Sequence, residues 1–386
     1  MAHAYLAPSS AGIWGSPEGC RAYPYLSSLY PERETEDTRA GDAAHEVAAT
    51  LVREGARGFP MQKFIGSPTS NGYIVTEEIQ EAAEMYAVDV LAAVRQYGVF
   101  NENLRIEEKV ACHSIHPMVE GTPDASLFDR HKGRLIVWDF KFGHRFVDAF
   151  ENWQMITYTS GLLDKYGIPA PDDAHVTVEH RIVQPRHYCP EGPIRSHVYK
   201  ASDLRAHFNI LVAAAEECLI PDVDARTGKH CRDCPARLNC PAFRLMSASA
   251  KEYAARAVPE IMDAEAIGVE LALVERYYDV LDQRKDALRQ QAEEMLRQGN
   301  RVPNWALQPK LGNLAWQISD SDVFTMFDAL GVDLRKTKPL TPTQTKTELK
   351  KADLDPALVD LYATRPDAGF KLVRDDLSYA KKVFSK

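Results

Sequence analysis

At 386 residues, 45% of them hydrophobic, the chain is long enough to bury one large core or two smaller ones. No run approaches the ~20 consecutive apolar residues of a membrane-spanning helix, and the opening MAHAYLAPSSAGIW lacks a basic segment followed by an apolar block, so a soluble, cytoplasmic protein is expected. A formal net charge of -9 argues against a chain that coats nucleic acid indiscriminately, because such binding rests on Lys and Arg neutralising phosphates; contact with DNA then calls for a local basic patch.

The first 30 or so residues carry Cys20 among Gly, Pro and Ser, and a helix opens near Gly41 in GDAAHEVAATLVREG. A second helix is predicted from Thr76 to about Tyr97, with Ile79, Ala83, Tyr86, Val90, Leu91 and Val94 at helical spacing. The alternating segment from Leu104 to Gly143, broken at Gly121-Thr-Pro and turning at His131-Lys-Gly133, reads as a β-meander. Helix is expected again over Phe150–Lys165, strand over 175–186 and helix over Ser202–Leu219, giving the order α, β, β, β, α, β, α. Residues 260–299, rich in Ala, Glu, Leu, Arg and Gln, read as one long helix or a helical hairpin, and the last 85 or so mix short motifs with Lys-rich stretches. The fold class is α/β, with residues 1–248, 249–300 and 301–386 as a main domain, a helical extension and a small accessory region.

The strand-like Leu135-Ile-Val-Trp runs into Asp139-Phe140-Lys141. Residues i and i+2 of a strand share a face, so Asp139 and Lys141 project together while Ile136, Trp138 and Phe140 point the other way. Asp124, in Gly121-Thr-Pro-Asp124, lies fifteen residues upstream, and a hairpin through 131–133 brings it beside Asp139. Two close carboxylates repel unless a cation sits between them, and hard oxygen donors suit Mg2+ or Mn2+. Such an ion activates water and polarises a phosphate, and a neighbouring lysine orients or deprotonates the water and stabilises the developing charge. Asp-x-Lys by itself is more often a surface ion pair. Gly41 and His45, four apart on one helix, and Gln154 and Tyr158, four apart on the helix after the strand, add further polar groups at one-turn spacing.

Seven cysteines in a cytoplasmic chain read as metal ligands or buried thiols rather than disulfides. Cys231-x2-Cys234-x5-Cys240 packs three thiols into a turn or two of chain, and thiolates that close imply a bound metal centre. A fourth ligand comes from Cys20, Cys112, Cys189, Cys218 or His230. Iron–sulfur is favoured over zinc, which more often shows two paired knuckles. Cys112 and Cys218 sit in strand and helix contexts that suit ordinary buried thiols.

In order, Gly41-x3-His45, Gly121-x2-Asp124, Asp139-x-Lys141 and Gln154-x3-Tyr158 resemble the RecB-like branch of the PD-(D/E)xK nucleases over residues 20 to about 245. The resemblance implies a restriction-endonuclease-like core, a central mixed sheet flanked by helices, with a C-terminal helical accessory region. It implies His45, Asp124, Asp139 and the Phe140 carbonyl as metal ligands, Lys141 as the catalytic lysine, and Gln154 and Tyr158 lining a DNA channel. Glu107 or Glu108 matches an acidic residue of the preceding strand, with a less definite role. The AddB-type and CRISPR-associated members of this branch place one cysteine before the His-bearing helix and three after the last core helix, which selects Cys20 to join Cys231, Cys234 and Cys240 around a 4Fe-4S cluster.

From CRAYPYLSS to KPLTPTQ the chain also resembles an uncharacterised family of phages and prophages, which implies a bacterial host cell and a role in DNA recombination, repair or replication. The expected function is a Mg2+- or Mn2+-dependent deoxyribonuclease, an exonuclease acting on DNA. A non-cleaving DNA-binding protein with a structural iron–sulfur or zinc site is the alternative. Residues 260–299 serve as a packing helix or as an interaction helix for a partner such as an annealing protein, and Lys336, Lys338, Lys346, Lys350 and Lys351 are either solvated or set against DNA phosphate.

Overall fold

Leu135–Trp138 is apolar on both faces, a composition that suits a strand covered from each side. In the computed structural model this segment is the middle of a five-stranded mixed sheet. The structure describes residues 4–30, 35–97, 103–187, 192–257, 261–311, 315–332, 334, 340–352, 354–364 and 367–374.

Two short helices, α1 (Ala11–Trp14) and α2 (Tyr23–Ser28), precede α3 (Glu36–Ala56) and α4 (Glu77–Tyr97). α3 begins five residues before Gly41, because the Thr35 hydroxyl accepts the Thr38 N–H and Glu36 and Asp37 face the positive end of the helix dipole. Strands β1 (Leu104–Ile106), β2 (Val110–Ala111), β3 (Glu120–Gly121), β4 (Ala125–Asp129) and β5 (Arg134–Phe140) follow. Then come α5 (Trp153–Tyr166), β6 (Thr177–Val183), β7 (Ile194–Lys200) and α6 (Arg205–Glu217). The sheet order is β1-β4-β5-β6-β7, with β5 and β6 parallel and the other neighbours antiparallel. A parallel pair needs a crossover, and α5 supplies it. The β4–β5 hairpin turns at Gly133, which has φ +56° and whose Cβ would lie 2.5 Å from the His175 carbonyl, so glycine is required twice over.

One face of the sheet carries Leu127, Ile136, Trp138 and Phe140 against Val47, Leu51, Ile79, Tyr86 and Val90 of α3 and α4. The other carries Leu135, Val137, Val178 and Ile182 against Met155, Tyr158 and Leu162 of α5. α5 starts at Trp153 rather than Phe150. The Asn152 side chain caps it by accepting the Met155 N–H, and Glu151 just ahead has a left-handed φ of +48°. Strand β7, an edge strand with alternating burial, lies where the sequence reading placed no element.

His180 of β6 is fully buried, its Nε2 2.8 Å from the Thr159 hydroxyl and its Nδ1 without a partner among the described residues. Burial, with His197 nearby, depresses its pKa to about 3. Between that value and its ordinary 6.5 the unfolded chain binds a proton that the folded chain refuses. Stability is therefore fully present above the unfolded pKa and falls as pH drops below it, by about 1.4 kcal/mol per pH unit from this group. In urea titrations from pH 6 to 4 the stability difference between the wild-type chain and His180→Gln should change with close to that slope.

Past the core lie α7 (Pro241–Ala254) and α8 (Ala264–Arg297), the latter one continuous helix rather than a hairpin. Its first half exposes Ile267, Val269, Leu271, Val274 and Tyr278. The chain divides into two compact units, Met1–Arg284 and Lys285–Lys386, with the boundary inside α8. The second unit holds β8 (Trp305–Leu311), β9 (Ala315–Trp316), α9 (Asp320–Ala329), α10 (Pro342–Lys351), β10 (Ala363–Thr364) and β11 (Asp367–Arg374). Its core is built from Val323, Phe327, Leu349 and Val359. Lys346 pairs with Asp360, while Lys336 and Lys338 lie outside the described residues. No helix among the described residues is long and apolar enough to cross a membrane.

Candidate active site and cysteine cluster

Strand alternation puts Asp139 and Lys141 on the α5 side of β5. There Gln154, in the first turn of α5, meets both: its Nε2 donates to Asp139 Oδ1 (2.9 Å) and its Oε1 accepts from Lys141 Nζ (3.1 Å). Lys141 Nζ also lies 2.9 Å from Asp139 Oδ1. That oxygen is thus doubly served, whereas Asp139 Oδ2 is buried with no partner among the described residues.

Asp124 enters from the start of β4. Its Oδ2 accepts the Phe140 N–H at 2.6 Å and its Oδ1 lies 3.1 Å from His45 Nδ1. His45 stands on α3, its ring edge-on to Phe140 at 5.3 Å, and a Cβ on Gly41 one turn earlier would meet nothing within 4 Å. Glu107 completes the group: one ligand atom from each of His45, Glu107 and Asp124 falls within 4.8 Å of the other two. Glu107 holds φ +50°, a conformation that costs a residue with a Cβ free energy, and its N–H donates to the Asp124 carbonyl. Glu108 turns away to Arg105 and Lys165. No spacing rule distinguishes Glu107 from its neighbour; the backbone turn between them does.

The charges are mutually adjusted. Burial would lower the His45 pKa, but Asp124 outweighs it and raises it to about 9. Asp124 is held below the usual carboxylate range against its burial, chiefly by His45 and then Lys141. Burial pushes Asp139 up, with Lys141 opposing and Asp124 adding repulsion. Burial and Asp124 together raise Glu107 to about 7. This is an excess of carboxylate that a cation relieves. Three carboxylates, one of them with a bare buried oxygen, and the His45 imidazole once an ion displaces its proton make a donor set that fits Mg2+ or Mn2+.

Two tyrosines border the group. Tyr158 is buried beside Gln154, and burial and the two aspartates hold its hydroxyl neutral. Tyr86 packs against Phe140 with the rings tilted by 36° at 5.1 Å, and its buried hydroxyl has no partner among the described residues. The sequence marks Tyr86 only as a core position. Gly121 sits where Tyr158 meets the N-terminal segment: a Cβ there would lie 2.8 Å from Pro8 Cδ and 3.1 Å from the Tyr158 ring. Gly121→Val should therefore lower stability by about 1–3 kcal/mol through overpacking, read as a reduced urea midpoint with an unchanged m-value.

The cysteines Cys20, Cys231, Cys234 and Cys240 carry free thiols, three buried and Cys234 partly so. Long-range packing brings the first to the other three. Cys20 and Cys240 act electrostatically on one another, as do Cys231 and Cys234 with both. Cys20 Sγ accepts the Arg226 N–H and Cys231 Sγ the Gly228 N–H, each at 3.4 Å. Burial raises Cys231 to about 11 and Cys234 to about 12, so in the free protein these are neutral thiols that a metal centre would convert to thiolates. Of the other candidates, Cys112 Sγ donates to the Thr157 carbonyl and His230 Nε2 faces the Arg226 carbonyl at 2.9 Å, while Cys218 packs with Leu211 and Ala215, where burial raises its thiol with Cys20 adding to the rise. Cys189 lies outside the described residues. The segment also touches the loop after Lys141, where Arg145 grips both oxygens of Asp233 at 2.8–2.9 Å.

Among known proteins, the family described as "Protein of unknown function (DUF2800)" matches residues 3–376. No curated protein matches. Among solved structures, a candidate exonuclease from Eubacterium rectale aligns over 67% of this chain and 91% of its own, at 11% identity and a TM-score of 0.34. SSO0001 aligns over 56% of this chain and 95% of its own, at 11% identity and a TM-score of 0.25. Likenesses this low carry no weight for fold or function.

Proposed function

The chain belongs to the DUF2800 family, and we propose that it is a divalent-metal-dependent deoxyribonuclease with a PD-(D/E)xK core, clasped by a four-cysteine iron–sulfur centre. The observation that carries this reading is the state of Asp139: one oxygen is held by Lys141 and Gln154, and the other is buried with no partner among the described residues, near a second carboxylate. A buried anion left half-satisfied costs about 1–3 kcal/mol or more, a cost that an ion between Asp139 and Asp124 removes.

His45, Asp124, Asp139 and the Phe140 carbonyl would hold the ion, with Glu107 as a further carboxylate ligand. When bound, the ion supplies an activated water and a polarised phosphate. The protein's own groups do the rest. Lys141, kept cationic by its contact with Asp139, offers Nζ to the attacking water and to the charge that grows on the phosphate. Gln154 fixes both Asp139 and Lys141 through its two amide atoms, and Tyr158 backs Gln154 as a neutral hydroxyl. The cysteine centre would join the segment around Cys20 to residues 231–240, and zinc there is the competing assignment.

The test is incubation of anaerobically purified protein with labelled single-stranded, duplex and closed circular DNA, with Mn2+ or Mg2+. Cleavage that chelation with EDTA abolishes is expected, and linear strands cut while circles survive would mark an exonuclease. Binding without cleavage of any substrate overturns the reading in favour of a DNA-binding module.

A further inference from the structure

The loop 142–152 leaves the site at Lys141 and re-enters it at Gln154, and it exposes two phenylalanines, Phe146 at 45% and Phe150 at 51%. Exposed aromatic rings are commonly mobile, but the supports beneath these two are built from buried polar groups. Gln184, fully buried, donates through Nε2 to the Gly143 carbonyl (2.8 Å) and to the Arg145 carbonyl, and its Oε1 accepts the Val147 N–H. Arg195, 5% exposed, donates twice to the Val147 carbonyl and once to Gln184. Its guanidinium lies 4.8 Å from the centroid of the Phe146 ring, which also borders the His187 imidazole at 5.3 Å. Phe150 rests edge-to-face on His197 at 4.9 Å. Its backbone is fixed by Asp148, and the left-handed Glu151 beside it is tied to the Tyr199 hydroxyl at 2.7 Å.

A loop that merely connects β5 to α5 has no need of two desolvated side chains, Gln184 and Arg195, beneath it, nor of a left-handed non-glycine residue next to an exposed ring. We infer that Phe146 and Phe150 form a nucleobase-stacking shelf for a single strand of DNA leading into the site. Resting on the nuclease reading for where the strand runs, the inference names the substrate: unpaired bases. Aromatic rings backed by a cation and by imidazoles offer the π-faces and positive charge that single strands recognise without regard to sequence. Five residues of chain reach at most about 18 Å, so Phe146 lies within a few nucleotides of a phosphate at Lys141. In a duplex the base faces cover one another, so the shelf works only on a single strand or a frayed end.

The test is binding by fluorescence anisotropy, without divalent ions and in a Lys141→Ala background, so that cleavage plays no part. The ligands are an oligothymidylate, a blunt duplex and an abasic strand of equal length. Phe146→Ala and Phe150→Ala should each weaken oligothymidylate binding roughly five- to 150-fold, with duplex and abasic affinities changed less than about twofold. Phe146→Leu, which keeps apolar bulk without a π-face, should lose affinity, and Phe146→Trp should retain it. Equal losses on all three ligands, or none, overturn the shelf while leaving the nuclease reading intact. If the parent binds no DNA of any kind, the shelf falls, and the nuclease reading is decided by the cleavage assay alone.

Discussion

Lys141→Ala is expected to cut DNA at least about a thousandfold more slowly than the wild-type chain while still binding Mn2+, and Asp139→Ala to lose both. Removing a charged donor aimed at developing charge costs roughly 10^2–10^3 in rate, and loss of proton handling at the water adds to that. The two variants differ because Lys141 touches Asp139 without belonging to the ligand set, whereas Asp139 Oδ2 is the bare oxygen of the site. Thermal melting separates them. An ion at a hundred times its dissociation constant stabilises by about 2.7 kcal/mol, which for a unit of this size raises the melting temperature by roughly 5–10 °C. That rise should persist in Lys141→Ala, where removal of the ammonium leaves the carboxylates in greater need of a cation, and vanish in Asp139→Ala. Lys141→Ala retaining more than about a tenth of wild-type activity would remove the lysine from the chemistry.

Cys20→Ser should strip the iron and the brown colour from the protein and lower its melting temperature by about 10–20 °C. Cys20 closes a loop of more than two hundred residues onto Cys231, Cys234 and Cys240. Cross-linking so long a loop is worth about 5 kcal/mol in the chain-entropy account, or roughly 2–4 °C per kcal/mol for a unit of this size. Cys112→Ser is the control: its thiol is buried in an apolar cluster and donates to the Thr157 carbonyl, so iron content per chain should not change. Wild-type protein that is colourless and carries zinc would replace iron with zinc at the same ligands. Full iron content in Cys20→Ser would remove Cys20 from the set. Since Arg145 grips Asp233 between two of the cysteines, loss of the centre should also slacken the loop after Lys141 and reduce cleavage beyond the loss of folded protein.

The sequence by itself determined whatever rests on one element's periodicity. Asp139 and Lys141 share a face because a strand repeats every two residues, and Gln154 and Tyr158 align because a helix brings i and i+4 together. The closeness of Cys231, Cys234 and Cys240 follows likewise from covalent spacing. The tertiary structure decided what no local period encodes. Glu107 rather than Glu108 faces His45 and Asp124 because the chain takes φ +50° there, and the Tyr86 hydroxyl, a core position in its own helix, comes to rest near four carboxylates with no partner among the described residues because α4 packs on β5 at Phe140. Strand β7 and the start of α5 escaped the sequence reading for related reasons: an edge strand with few apolar residues has a weak signal, and a cap at Asn152 outweighs helical propensity at Phe150. Asp139 is the sharpest instance. Its neighbours in sequence determine which way it points, but only the arrival of Gln154, Asp124 and the buried surroundings leaves one of its oxygens without a partner among the described residues.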